Sequence, residues 1–191
     1  MDEAPVVRAE HLPLPKSMGH LHTLAHDTGD PARLRAVLLE LAEKVGRRLR
    51  LAGASGRTVT LTLRARDFTP PHGLPTSTSR GAGFTTWSRA RTLDRFLDDG
   101  EDLYSVGCRI LAATPLAQPI RMLGIAVSGL SYAERQAWWL PEVARHERLV
   151  RACDRITDRF GDAALVRATR LWQRQSRGHF YVFPHRSGWK K

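Results

Sequence analysis

Hydrophobic side chains recur with the period of an α-helix in two stretches of the first 130 residues. Asp30 can cap the first helix, and Pro31 suits its first position because the N–H that proline lacks would go unbonded there. The second helix is predicted to begin near Asp98 or Asp99 and to stop before Pro115. The apolar positions are Leu34, Val37, Leu38, Leu41, Val45 and Leu49 in the first helix, and Leu103, Val106, Ile110 and Leu111 in the second.

Four further stretches have the composition of β-strands. Residues 57 to 65 alternate threonine and arginine with valine and leucine, which predicts one polar and one buried face. Residues 19 to 24, 84 to 93 and 120 to 130 are predicted as the other three strands. The order predicts an α+β fold, a split β-α-β-β-α-β arrangement with a four-stranded antiparallel sheet and two helices on one face. The other face is left open and is a candidate binding surface.

The remaining segments divide the chain into four parts. Residues 1 to 15 contain three prolines and no period, which indicates a linker before a domain that spans residues 16 to 130. Residues 131 to 144 are a connector, and residues 145 to 191 are a small helical and basic C-terminal extension. The helix predicted at residues 145 to 161 has one apolar stripe, formed by Leu149, Cys153, Ile156 and Phe160.

The charge of the chain favours a polyanionic partner. The sequence has 30 basic and 19 acidic residues, a net charge of +11, and 26 of the basic residues are arginine. Arginine binds phosphate oxygens in a bidentate manner, so nucleic acid is the first candidate. The excess is uneven, because residues 1 to 130 hold 17 basic and 13 acidic residues and residues 131 to 191 hold 13 and 6.

Several classes of protein are disfavoured. The sequence has no run of eighteen apolar residues and no signal-peptide pattern, so we expect a cytoplasmic protein without a membrane partner. Cys108 and Cys153 lie far apart and form no Cys-x-x-Cys motif, which argues against a disulfide scaffold and a cysteine zinc site.

No motif predicts a catalytic or metal-binding residue. His20, His22 and His26 have no carboxylate at a matching spacing, and no Gly-x-Ser-x-Gly or Cys-His pairing predicts a nucleophile. The acidic residues between 98 and 102 lie at a helix N-terminus, where carboxylates interact favourably with the helix dipole. We therefore expect no catalytic and no metal site.

Four separated motifs resemble, in one order, the little finger domain of Y-family translesion DNA polymerases of the DNA polymerase IV type. They are "KSMGHLHT" from residue 16, "RTVTLTLRARDF" from 57, "SRARTL" from 88 and "IRMLGIAVSGL" from 120. The resemblance covers residues 16 to 130 apart from a longer loop at 69 to 83. Residues 145 to 170 are similar to the helical extension that some bacterial members carry.

The resemblance implies a domain that lies in the major groove of a primer-template duplex, grips phosphates and is tethered to catalytic palm, fingers and thumb domains. Its role would be DNA repair by damage bypass, with binding of damaged DNA in the nucleoid. The candidate DNA-binding residues are Lys16, Ser17, His20, Thr23, Ser88, Arg89, Arg91, Arg121 and Ser128. Further candidates, for which a solvated helix face is the alternative, are Arg148, Arg151, Arg155 and Arg159.

Two departures from the family pattern shape the expectation. The palm carboxylates that hold two magnesium ions would precede residue 16, and only 15 residues do, so we expect a non-catalytic module with no cofactor of its own. The outward positions of the last strand carry no charge where the family often has arginines. Phosphate binding would therefore shift to Lys16, Arg89, Arg91 and Arg121, or to the C-terminal extension.

The alternative is a free-standing adaptor that binds a protein partner, such as the sliding clamp, or RNA. The segment "QSRGHFYVF" from residue 175 faintly resembles a clamp-binding peptide, although its spacing is poor. An RNA-recognition sheet carries paired aromatic residues on its central strands, and only Phe84 and Trp87 qualify here.

Overall fold

The computed structural model describes residues 14 to 66, 86 to 132, 141 to 161 and 164 to 168. Backbone contacts divide the chain into two units, Met1–Trp138 and Trp139–Lys191. The predicted loop at 69 to 83 and the segment from residue 175 lie outside the described residues.

The first unit has the predicted split arrangement. Its elements are β1 (Ser17–Thr28), α1 (Pro31–Leu51), β2 (Ser55–Ala65), β3 (Thr86–Leu97), α2 (Gly100–Ala112) and β4 (Ile120–Ser131). The strands form one sheet in the order β1-β4-β2-β3, and each neighbouring pair is antiparallel. The α+β fold class predicted from the sequence is confirmed.

Both helices of this unit begin at the predicted caps. The Asp30 carboxylate accepts a hydrogen bond from the Ala32 N–H at 2.9 Å, and Pro31 occupies the first helical position. The Asp99 carboxylate accepts from the Glu101 N–H at 3.2 Å. The acidic residues near 99 therefore stabilise the start of α2, as the sequence predicts.

A continuous apolar core lies between the two helices and one face of the sheet. The predicted core positions of α1 and α2, led by Leu34, Leu38 and Leu103, are buried. The central strands contribute Val59, Leu61, Leu63, Leu123, Ile125 and Val127, none of which is more than 1% exposed. Because side chains alternate along a strand, every second position of these strands faces away from the helices.

The edge strands are longer than the sequence predicts. β1 extends from Ser17 to Thr28 instead of covering residues 19 to 24, and β3 extends to Leu97 instead of ending at residue 93. β1 pairs with β4 and β3 pairs with β2, and this pairing extends both edge strands over polar positions that show no hydrophobic alternation.

The second unit contains α3 (Pro141–Phe160), which begins within the predicted connector. None of its side chains is buried, and Leu149, Ile156 and Phe160 of the predicted apolar stripe are exposed. Asp162, whose side chain suits the N-cap of a further short helix, lies outside the described residues. Within the described ranges no helix is long and apolar enough to cross a membrane.

Candidate nucleic-acid interface

The sheet face turned away from the helices is formed by alternate residues of all four strands, and we call it the open face. Residues directly opposite each other in an antiparallel pair point to the same side, so the pairing register assigns its members. The open-face residues, strand by strand, are Ser17, Gly19, Leu21 and Thr23 of β1, Met122, Gly124, Ala126 and Ser128 of β4, Thr58, Thr60, Thr62 and Arg64 of β2, and Thr86, Ser88, Ala90 and Thr92 of β3.

Hydroxyl groups and small side chains dominate the open face. The hydroxyls of Thr58 and Thr92 are 3.0 Å apart, and those of Thr62 and Ser88 are 3.1 Å apart, so β2 and β3 are linked by two side-chain hydrogen bonds. Because each hydroxyl has a single proton, one hydroxyl of each pair can still donate to an approaching acceptor. Small side chains let the backbone of a bound molecule approach this surface closely, and the uncharged hydroxyl groups offer hydrogen-bond donors.

Positive charge is concentrated at one end of the open face. Arg64 lies there and donates from Nε to the Thr86 hydroxyl at 3.3 Å. Beyond it, Arg121 and Arg66 both contact the carboxylate of Asp27, at 3.2 Å and 3.4 Å. We call this group, Asp27, Arg64, Arg66 and Arg121, the arginine end.

The structure brings together four of the predicted candidates on the open face: Ser17, Thr23, Ser88 and Ser128. Arg121 lies at the arginine end, where its guanidinium is engaged with Asp27. Lys16 is exposed immediately before β1 begins. These six candidates are compatible with one bound surface.

Three other candidates lie on the opposite side of the sheet, at its edges. Arg89 pairs with Leu61 and Arg91 with Val59, so both arginines point toward the helix side of β3. Arg89 donates a hydrogen bond to the carbonyl oxygen of Ala113, the C-cap of α2, at 3.2 Å. The two arginines share a strand face because they are two residues apart, but that face is not the open one.

His20 also lies on the helix side, because it pairs with the buried Ile125. Partial burial lowers the pKa of His20 below its usual 6.5, and the positive charges of Lys44 and Arg48 on α1 lower it further. Arg48 donates to the Gly19 carbonyl oxygen at 2.9 Å, which fixes this cation beside β1. The helix side of β1 is therefore a second place with local positive potential.

The four candidate arginines of α3 are all exposed. Arg148 donates from Nε to the Ala144 carbonyl oxygen at 3.2 Å, and Arg151 lies 4.0 Å from Glu147. The Arg159 guanidinium lies over the Phe160 ring at 5.3 Å. These local contacts leave the guanidinium groups at the helix surface.

Sequence reasoning missed Asp27, Arg64 and Arg66 as members of the site. The alternation in β2 places Arg64 on the polar face of that strand, whereas Asp27 comes within reach of Arg121 where the β1–β4 register shifts between Thr23 and Thr28. A sequence pattern carries no signal for such a bulge. No group of three or more potential metal ligands occurs in the part of the chain that the structure describes.

The comparison with known families agrees with the fold and the motifs. The C-terminal domain of the impB/mucB/samB family matches residues 15–137, more than half of the chain. The chain belongs to this family. This domain is the little finger of Y-family polymerases, so the resemblance that the motifs indicate is confirmed.

Curated relatives of this family member are DNA polymerases. DNA polymerase IV of Pelotomaculum thermopropionicum is 37% identical over 159 residues, covering 82% of this chain and 35% of the relative. DNA polymerase IV of Moorella thermoacetica is 36% identical over 158 residues, covering 82% and 36%. The chain thus spans about a third of the length of these relatives. A solved structure, the insertion ternary complex of Dbh DNA polymerase, matches 61% of this chain and 29% of that chain with a TM-score of 0.45 and 12% identity.

Proposed function

We propose that this chain is a sequence-independent DNA-binding module, the little finger of a DNA polymerase IV-type enzyme, which grips the phosphates of a primer-template duplex during damage bypass. The relatives named DNA polymerase IV support the enzyme class. Binding takes place on the open face, with the catalytic domains of the polymerase as the second partner and the nucleoid in the cytoplasm as the location.

The composition of the open face is the observation that carries this proposal. Fifteen of its sixteen assigned positions are uncharged, Arg64 is the exception, and Arg66 and Arg121 follow at the end. Hydroxyls and arginines are donors to phosphate oxygens, and such contacts fix a duplex in place without reading base sequence. Large apolar side chains, against which a protein partner packs tightly, are limited on the open face to Leu21 and Met122. Met122 is only 8% exposed.

Catalysis is assigned to other domains in this proposal. The two magnesium ions of a polymerase would be held by palm carboxylates, and residues 98 to 102 serve α2 instead, through the Asp99 cap and the Asp102 contact to Arg95 at 2.8 Å. The chain by itself is therefore expected to bind DNA and to incorporate no nucleotide.

Two alternatives differ in their support. RNA recognition by base stacking needs aromatic rings on the central strands, and the open-face positions of β2 and β4 hold none. A protein partner, such as the sliding clamp, is favoured by one observation: the exposed Leu149, Ile156 and Phe160 of α3 offer apolar surface. This second function would use the other unit and is compatible with DNA binding by the open face.

A titration of the full chain with duplex DNA at several salt concentrations tests the proposal. If about four to six phosphates are neutralised, log K falls against log salt with a slope near −4 to −5. Duplexes of unrelated sequence should bind equally. A slope near zero, or a strong preference for one sequence, would contradict the proposed phosphate grip.

A further inference from the structure

Asp27 stands between two arginines that come from different strands. Its Oδ1 accepts from Nη1 of Arg121 on β4 at 3.2 Å, and its Oδ2 lies 3.4 Å from Nε of Arg66, just after β2. The Asp27 side chain is 16% exposed, whereas Arg66 and Arg121 are 69% and 45% exposed. The Asp27 carboxylate is thus more buried than the two guanidinium groups, which are accessible to solvent.

The pairing register places this cluster at the end of the sheet where Arg64 lies. Thr28 of β1 and Ala65 of β2 both pair with Ile120 of β4, and all three residues are buried. Their chain neighbours Asp27, Arg121 and Arg66 lie at the same end of the three strands as Arg64, and both arginines are exposed. The register shifts at this end of both pairs are what bring the three side chains together.

We propose that Arg66 and Arg121 form a phosphate-binding site at the arginine end and that Asp27 is its positioning residue. The proposal rests on the proposed function, because a backbone phosphate of the duplex is the ligand. Each guanidinium contacts Asp27 through one nitrogen and has further N–H donors, which suit tetrahedral phosphate oxygens. With Arg64 included, the arginine end holds three positive charges and one negative charge, a net +2.

A positioning role and a purely electrostatic role predict opposite effects on DNA affinity when the Asp27 carboxylate is removed. If the carboxylate only opposed the DNA, its removal would strengthen binding through the longer-range electrostatic attraction. If it holds the two arginines in the binding geometry, its removal forces DNA to order two long side chains and weakens binding. The sign of the change therefore distinguishes the two roles.

The test compares Asp27→Ala with Glu40→Ala in the full chain. Glu40 contacts Lys44 on α1 at 2.8 Å, so this control removes a carboxylate from another exposed ion pair and changes the net charge equally. At about 0.1 M salt, Asp27→Ala is expected to weaken duplex binding about three- to tenfold, while Glu40→Ala leaves it unchanged or slightly tighter. Equal or tighter binding by Asp27→Ala would overturn the proposal.

A double-mutant comparison localises the effect. In an Arg66→Ala, Arg121→Ala background, Asp27→Ala should cause no further loss, because the groups that it positions are gone. Asp27→Asn serves as a second variant, and circular dichroism of each protein reports whether it remains folded. An undiminished Asp27→Ala effect in the background would contradict the assigned role.

A measurement without DNA separates this proposal from the proposed function. The order of the Arg66 Nε–H group, measured by ¹⁵N relaxation in the free chain, should fall in Asp27→Ala and stay unchanged in Glu40→Ala. If the unmutated chain fails to bind DNA with a salt dependence, the proposed function is lost. If it binds but Arg66 is as mobile with Asp27 as without it, the positioning role is wrong and the proposed function stands.

Discussion

Arg89 and Arg91 are identical residues two positions apart on one strand, but their contacts differ. Both lie on the helix side of β3, but a hydrogen bond to the Ala113 carbonyl oxygen is found for Arg89. That carbonyl belongs to the C-cap of α2, where a cation also interacts favourably with the helix dipole. Phosphate contact by either arginine remains a prediction, and it would have to come from the edge of the sheet.

Arg89→Ala is expected to lower the free energy of unfolding by about 0.5–1 kcal/mol, because it removes the charged donor from the end of α2. Arg91→Ala is the matched control, since the same substitution on the same strand face should change stability by less than about 0.5 kcal/mol. Urea denaturation of the two variants measures both values. A larger loss in Arg91→Ala would contradict the assigned roles.

The pKa of His20 is expected to report the electrostatic potential on the helix side of β1. Because its pKa is lowered in the folded state by burial, Lys44 and Arg48, the unfolded chain binds this proton more readily than the folded one. Its contribution to stability is therefore complete above pH 6.5 and is lost as the pH falls from 6.5 toward the folded-state value.

An NMR titration of the His20 imidazole tests this account of the potential. The unmutated chain should titrate below 6.5, and Lys44→Met should raise the pKa because it removes one cation. Lys16→Met, which removes a cation that is not among the causes of the shift, is the control. An identical His20 pKa in both variants and the unmutated chain would refute the role of Lys44.

Alternation predicted the faces of β2 and β4 because these central strands bury one side completely. Val59, Leu61 and Leu63 point inward as expected, and Thr58 and Thr60 point outward. The same reasoning could not assign the faces of β1 and β3, since an edge strand leaves polar side chains partly exposed on both sides. Placing His20 and Arg89 required the pairing register.

At the scale of the elements, the two helices touch through a pair of glycines. A Cβ atom added to Gly46 of α1 would lie 2.8 Å from the backbone nitrogen of Gly100 and 2.9 Å from the Asp98 carbonyl oxygen. A Cβ added to Gly100 would lie 2.9 Å from the Cα of Glu43. The start of α2 therefore packs directly on the backbone of α1.

Gly46→Ala is expected to destabilise the first unit by about 1–3 kcal/mol, because backbone atoms cannot move aside as a flexible side chain can. Helix propensity alone predicts the opposite, a gain of about 1 kcal/mol for alanine within a helix. Gly29→Ala is the control, since no atom lies within 4 Å of its added Cβ. Thermal unfolding decides between the two expectations, and a Gly46→Ala variant more stable than the unmutated chain would show that the contact is loose.

The elements predicted well and badly from the sequence differ in where their stabilising contacts lie. α1 follows from its own apolar period and from the Asp30 and Pro31 signals, all of which are local. The full length of β3 depends on pairing with β2, and the residue types after position 93 do not indicate that this pairing continues. The close approach at Gly46 is likewise invisible in a sequence, because it depends on the crossing of two helices.

At the scale of the whole molecule, net charge and the position of charge give different information. The value of +11 suggests a polyanionic partner but not a surface. In the first unit, the structure separates a nearly neutral open face with an arginine end from cations on the helix side, such as Lys44 and Arg48. The central claim is that duplex DNA binds the open face rather than the helix side.

The most direct test places one negative charge on each side and measures duplex affinity at a fixed salt concentration. Ala90 is exposed on the open face of β3, and Ser105 is exposed on α2. Ala90→Glu and Ser105→Glu lower the net charge equally, so only their positions differ. The open-face account predicts at least about a tenfold loss of affinity for Ala90→Glu, because the carboxylate meets a phosphate, and little change for Ser105→Glu. Equal losses in the two folded variants, or a larger loss in Ser105→Glu, would contradict it.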